Sequence, residues 1–187
     1  MEDYSKIWLA TDHHFGHNNI IKFADENGVP YRNFVSIEEH DKHLIEQHND
    51  FVGHDDTVIF GGDLGMDKKY LESIFLKLKG KKKLILGNHD NFSMTFYDKH
   101  FSRIRAWYMF GEKDVPHVIF SHFPLMPESF HPNKPWLNVH GHVHSNSVTG
   151  QRSKNYLNLC PEEWSYAPTQ VSELLLIAKN RKQAGLI

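Results

Sequence analysis

Cysteine is almost missing from this chain: Cys160 stands alone among 187 residues. A single thiol closes no internal disulfide, so the fold does not rely on one. An excess of either charge is missing too. Twenty-one Lys and Arg against 23 Asp and Glu leave a formal net charge of −2. That gives no overall pull toward nucleic acid or anionic membrane and confines any such attraction to local patches. No apolar run approaches the roughly 20 residues needed to span a bilayer. The opening MEDYSKIWLATD lacks the basic and then apolar build of a signal peptide. These absences predict a cytoplasmic chain without membrane attachment.

What is present is ordinary for a globular protein, with 40% hydrophobic and 24% charged residues. The length predicts one domain over 1–187. Histidine is the exception, at 15 residues. Imidazoles bind metals, move protons or simply pack, so their placement decides what they do.

Strands and helices alternate along the first half. Lys6 to Thr11 is a short apolar run that stops at Asp12-His13-His14. Ser36 to Val52 reads as a helix opened by a Ser36/Glu39 capping box, with Ile37, Leu44, Ile45, His48 and Phe51 on one face. Thr57 to Phe60 is a second strand ending at Gly61-Gly62-Asp63, and Asp67 to Lys79 a second helix stopped by Gly80. Lys83 to Leu86 is a third strand ending at Gly87-Asn88-His89-Asp90. Further on, Ala106 to Phe110 and His117 to Phe120 read as a hairpin, the latter ending at Ser121-His122. Leu137 to His140 runs into Gly141-His142-Val143-His144, Tyr156 to Cys160 is one more strand, and a last helix begins between Thr169 and Ser172. Pro124 to Pro135 holds four prolines and reads as a loop near the site. The pattern predicts an α/β domain with a parallel first half and antiparallel additions.

Five predicted strands thus end in polar clusters: Asp12 and His14, Asp63, Asn88 to Asp90, His122, and His142 with His144. Parallel strands bring such ends to one edge, where α/β sheets bind ligands. Two carboxylates, an amide carbonyl and four imidazoles are mixed oxygen and nitrogen donors. That set fits Mn, Fe, Zn, Co or Ni better than Ca or Mg, and the lack of thiolates argues against a structural zinc site. Seven donors exceed one tetrahedral ion and suit two ions sharing a carboxylate, as in two-metal sites acting at phosphorus.

In these residues the chain resembles the calcineurin-like metallophosphoesterases. Asp12-His13-His14 matches D-x-H, Gly62-Asp63 matches G-D, and Gly87-Asn88-His89-Asp90 matches G-N-H-D. His122 matches the lone histidine and Gly141-His142-Val143-His144 matches G-H-x-H. The likeness is greatest to a small single-domain subgroup whose first motif continues H-F-G-H-x-N-I, here His14 to Ile20. The resemblance implies a layered β-sandwich with mixed sheets flanked by helices, in four α/β/β/α layers. It implies that Asp12, His14 and His144 hold a first divalent metal and Asn88, His122 and His142 a second. Asp63 would bridge them, with manganese the first expectation. It further implies that the metals activate a bridging water for hydrolysis of a phosphoester. His89 would protonate the leaving oxygen or offset charge over the phosphate, and Asp90 would orient His89. Two departures stand out. His13 occupies a position where many members have a small or aliphatic residue. Leu64-Gly65-Met66 follows G-D where many have an acidic-basic pair, so substrate preference does not transfer.

Several residues read more simply. His13 alternates away from Asp12 and His14 and is expected to pack. His17, just past the first ligands, is a candidate phosphate contact, weighed evenly against a role in loop structure. His40, His43, His48, His54, His100 and His117 are expected on helix faces or the surface, and His140 buried against a polar group. The run Lys79-Gly80-Lys81-Lys82-Lys83 reads as a solvated turn, and Cys160 as a strand residue. The expected partner is a small-molecule phosphoester. Alternatives are a nuclease acting on DNA or RNA, a two-metal hydrolase acting elsewhere than at phosphorus, and a binding module without catalysis.

Overall fold

The computed structural model describes residues 3–24, 27–131, 133–146 and 153–187. In chain order the elements are β1 (Ile7–Ala10), α1 (Ile37–Phe51), β2 (Thr57–Phe60), α2 (Lys68–Phe75), β3 (Lys81–Ile85), α3 (Met94–Asp98), β4 (Ile104–Arg105), β5 (Trp107–Phe110), β6 (His117–Ser121), β7 (Trp136–His140), β8 (Tyr156–Asn158), β9 (Thr169–Gln170) and α4 (Val171–Gln183). They form two mixed sheets, ordered β4-β3-β2-β1-β9 and β5-β6-β7-β8.

Alternation along the strands builds the layers. Ile7, Leu9, Ile59 and Ile85 face the second sheet and meet Val118, Phe120, Leu137 and Val139 in one core, joined by Val171, Leu174, Leu175 and Ala178 of α4. The other face of the first sheet, with Trp8, Val58, Phe60 and Leu84, packs on Leu44 of α1, Leu71, Ile74 and Phe75 of α2, and Phe96 and Tyr97 of α3. Burying each such side chain contributes about 1.5–3 kcal/mol. The outer face of the second sheet carries Ile119, Trp136 and Tyr156, covered by Leu125 and Phe130 of the proline-rich loop. Among the described residues no helix is long and apolar enough to cross a membrane.

In the first sheet β1, β2, β3 and β4 run parallel, while β9 is antiparallel to β1. Ala10 pairs with Phe60 and Phe60 with Leu84, so three strands end level. The second sheet departs from the expected antiparallel additions. Only β5 and β6 are antiparallel, and β6, β7 and β8 run parallel, with Ser121 opposite His140. The segments at 122–135 and 141–155 are long enough to carry the chain back to the starting end, as parallel pairing demands. The ligand-bearing ends of β6 and β7 therefore lie level as well.

Some local expectations shift. Ser36 caps α1 as expected, accepting from Glu39 N–H at 3.2 Å. Phe51, expected inward, is 51% exposed, whereas His40 and His48 are buried. The second helix ends at Phe75, because Lys77 N–H turns to the Ile74 carbonyl in a tighter bond of 2.8 Å. Gly80 then reverses the chain at φ +85°, and β3 starts two residues earlier than predicted. Two lysines of the basic run bond locally: Lys79 Nζ donates to Asn49 O (2.6 Å) and Lys82 Nζ to Leu78 O (2.8 Å).

Candidate metal centre

Each motif begins where a strand stops and the backbone turns over. Asp12, His14, Asp63, His142 and His144 all adopt left-handed backbone, with φ between 50° and 70°. That region is uncommon for residues with a side chain, although Asp and His are enriched there, and it collects at functional sites. Backbone bonds hold these turns: Asp12 N–H donates to Gly62 O (2.9 Å), His14 N–H to Asp63 O (3.0 Å) and Gly141 N–H to His122 O (2.9 Å). The motif glycines allow the close approach. A Cβ on Gly141 would collide with Asp12 Oδ2, and one on Gly87 with Asp63 Oδ1.

The two sheets are joined at this edge. His142 N–H reaches the Asp12 carboxylate (3.0 and 3.1 Å to the two oxygens), and His122 Nδ1 donates to Gly61 O at 2.9 Å. The expected residues converge in two groups. Asp12, His14 and His144 present donor atoms within 4.8 Å of one another, as do Asp63, His122 and His142. Asn88 Oδ1 lies 3.0 Å from His122 Nε2, and Asp63 Oδ2 stands 3.7 Å from both His14 Nε2 and His122 Nε2. That separation is too long for hydrogen bonds and faces one carboxylate oxygen toward both groups.

These residues fit divalent ions. Both ring nitrogens of His14 are buried without a hydrogen-bond partner, an arrangement that costs about 1–3 kcal/mol per group unless something binds there. His122 gives its Nδ1 proton to Gly61 O, so neutral His122 presents only a lone pair at Nε2, against the Asn88 carbonyl oxygen. Two acceptors that close suit a shared cation. Burial holds the His14 imidazole well below its usual range, with Arg32, His144 and His17 adding to the effect, and burial also lowers His142. Both are thereby kept in the neutral form that ligates metal. Burial pushes the Asp12 carboxyl up against the pull of His122 and the Thr11 hydroxyl, which donates to it at 2.6 Å.

The expected catalytic pair separates. His89 is exposed at the crevice, its ring 5.7 Å from that of His14, and its N–H donates to Asp63 Oδ1 at 2.9 Å. Asp90 does not play the part expected of it. Its carboxylate is buried and taken up by three backbone donors, Asp63 N–H (2.8 Å), Gly87 N–H (2.8 Å) and Leu64 N–H (3.0 Å). Rather than orienting the His89 ring, it fastens the G-D turn to the G-N-H-D turn. Burial pushes this carboxyl up, opposed by the Gly87 and Leu64 N–H groups. His17 lies beside the centre, its ring 5.7 Å from His14 and 6.2 Å from Phe23. His13 points away and stacks on Phe15 at 5.0 Å, as expected. Leu64-Gly65, in place of an acidic-basic pair, extends the ladder toward Phe15.

Sequence reading missed Thr11, Arg32, Asp41 and Glu162. Glu162 Oε1 accepts from His144 Nδ1 at 2.9 Å, and Arg32 is fully buried behind Asp12 and His13. Burial works against the charge of Glu162, but the His144 bond and the Arg32 guanidinium hold its carboxyl below the usual range. His40, expected on a helix face, is buried between Arg32 and Asp41. Cys160 follows β8 instead of lying in it, and burial pushes its thiol up, which leaves it a poor nucleophile.

Residues 5–179 match the family model described as calcineurin-like phosphoesterase. The chain is 29% identical to the uncharacterized protein MJ1445 of Methanocaldococcus jannaschii, covering 95% of this chain and 93% of that protein. It is 29% identical to the Gene 66 protein of Mycobacterium phage L5, covering 75% and 78%. A solved structure, the Aquifex aeolicus protein of unknown function AQ665, superposes with a TM-score of 0.65 over 90% of this chain and 96% of that one, at 23% identity.

Proposed function

The chain belongs to the calcineurin-like phosphoesterases, and from that premise we propose that it hydrolyses a phosphoester at a centre of two divalent ions. Asp12, His14 and His144 would hold one ion and Asn88, His122 and His142 the other, with Asp63 shared. The observation that carries this is Asp63 Oδ2, equidistant at 3.7 Å from an imidazole nitrogen of each group. When bound, such a pair supplies Lewis acidity and makes water acidic enough to ionise near neutral pH. Manganese is the first choice, with Fe, Zn, Ni and Co fitting the same donors.

The chain's own groups do the rest. Asp63 Oδ1 holds the His89 N–H, which sets where the His89 ring stands over the crevice. His89 is exposed and can give a proton to the departing oxygen or a hydrogen bond to a phosphoryl oxygen. Asp90 and Thr11 keep the two turns and the Asp12 carboxylate in place. His17 is the proposed further contact to substrate phosphate. The substrate proposed is a small cytoplasmic phosphoester, because the basic run at 79–83 lies at the opposite end of β3 from Asn88 and two of its four amines, those of Lys79 and Lys82, are taken by backbone carbonyls.

The test is a panel assay. Protein stripped with EDTA and reloaded with Mn2+, Zn2+, Ni2+, Co2+ or Fe2+ is offered aryl mono- and diesters, cyclic nucleotides, nucleoside monophosphates and single-stranded DNA. Turnover of a small ester that vanishes on stripping and returns on reloading supports the proposal. No turnover with any metal refutes it, and salt-dependent binding and cleavage of DNA alone would move the function to a nuclease.

A further inference from the structure

Glu162 lies 18 residues beyond His144 and outside every motif, yet its side chain is only 4% exposed and bonded at both oxygens. One oxygen accepts from His144 Nδ1 at 2.9 Å. That bond places the ring proton on Nδ1 and leaves the Nε2 lone pair free to ligate. The other oxygen takes Arg32 NH2 at 3.0 Å and Nε at 3.1 Å.

Arg32 is 0% exposed, and its five N–H bonds are all accounted for. Beyond Glu162, NH2 donates to Asp12 O (2.7 Å), and NH1 to His13 O (3.1 Å) and His40 Nε2 (3.0 Å). A guanidinium only donates, so His40 accepts at Nε2 and passes its own Nδ1 proton to Asp41 Oδ1 at 2.7 Å. Asp41 in turn takes Tyr70 OH (2.9 Å) and Gly16 N–H (2.8 Å). The carbonyls gripped by Arg32 belong to the D-x-H turn, whose Asp12 and His14 sit at φ 51° and 52°. One guanidinium thus fixes the backbone of two donors and the carboxylate behind the third. The other group has a backbone clasp of its own in Asp90, which takes the Asp63 and Gly87 N–H groups at 2.8 Å, but among the described residues no carboxylate is hydrogen-bonded to either of its imidazoles. His122 Nδ1 meets a neutral carbonyl, and the His142 ring meets Phe123 at 4.5 Å and His122 at 5.2 Å.

We propose that Glu162 and Arg32 are positioning residues that make the Asp12–His14–His144 half of the centre the tighter of two unequal metal sites. The inference rests on the metal-centre reading above. Glu162→Gln tests it, because an amide cannot serve both neighbours. With its oxygen on His144 its NH2 confronts Arg32, and turned round its NH2 forces the ring proton of His144 to Nε2. EDTA-stripped protein is titrated with Mn2+ alone, free Mn2+ being followed by EPR and bound metal by elemental analysis.

The parent should bind two equivalents with distinct affinities. In Glu162→Gln the tighter equivalent should weaken by 10–100-fold while the weaker one is unchanged, and the EPR spectrum of the first bound equivalent should change. An Asn88→Ala control should lose the weaker equivalent instead. Should Glu162→Gln fail to fold, Arg32→Lys, which keeps a cation beside Glu162 but releases the carbonyls, must show the same selective loss. Equal weakening of both equivalents, or none, overturns the proposal while leaving the metal centre standing. A parent chain that takes up no Mn2+ overturns the metal-centre reading and this inference with it.

Discussion

Replacing Asp90 with asparagine separates two roles for a residue in the most chemically loaded motif of the chain. Its carboxylate accepts three buried backbone N–H groups, two at 2.8 Å on one oxygen and one at 3.0 Å on the other. Asparagine has one oxygen. Placed against Asp63 and Gly87, it leaves its NH2 facing the Leu64 N–H, so one buried donor is orphaned at about 1–3 kcal/mol. The two surviving bonds lose charge assistance and roughly half their strength. Together the loss is on the order of 3 kcal/mol. Urea unfolding of the EDTA-stripped protein, followed by tryptophan fluorescence, should show the midpoint falling by about 1–2 M at an unchanged slope. Metal uptake should fall with it, because Asp63 N–H is one of the three donors. A variant within about 0.5 kcal/mol of the parent that still holds metal but does not turn over would refute this reasoning and restore Asp90 as the group that orients His89.

Three further outcomes are expected. His89→Ala should keep its metal and lose on the order of a hundredfold or more in turnover; equal rates at equal metal content would remove the residue from the mechanism. Asp63→Ala should lose metal occupancy, and two ions still present by elemental analysis would dismiss its shared role. Burial lowers His48 to about 4 from 6.5, against the pull of its bond to Lys79 O. As pH falls the unfolded chain takes up that proton first, so stability is full above 6.5 and is lost between 6.5 and about 4, by on the order of 3 kcal/mol. His48→Gln, which can still donate to Lys79 O, should flatten that part of the curve relative to the parent. Parallel curves for the two proteins would show that His48 does not titrate this way.

The donors were legible in sequence because strand ends, glycines and metal-binding residue types coincide in order, and all seven converge. The first sheet was legible because β1, β2 and β3 alternate with helices. The second sheet misled because hairpin spacing at 106–120 describes only its β5–β6 edge. β4 and β9, at two residues each, are too short to carry a period. Asp90 was misread because its partners lie on two separate turns, and the carboxylate was assigned to its sequence neighbour instead. Arg32 and Glu162 stand 130 residues apart and meet only once both sheets are assembled. A lone arginine in a loop shows nothing of the four acceptors that will surround it.

Each group of donors draws on both sheets: Asp12 and His14 with His144, and Asp63 and Asn88 with His122 and His142. No segment of the chain could assemble either group before the sheets dock, so ions would favour the finished sandwich over the unfolded ensemble. On the proposed two-ion reading, loading would act as a pair of clasps across the fold, adding about 2.7 kcal/mol per ion at a hundredfold excess over its dissociation constant. For the chain to open, such clasps would have to release, which would tie its exposure to proteases to the supply of divalent metal around it.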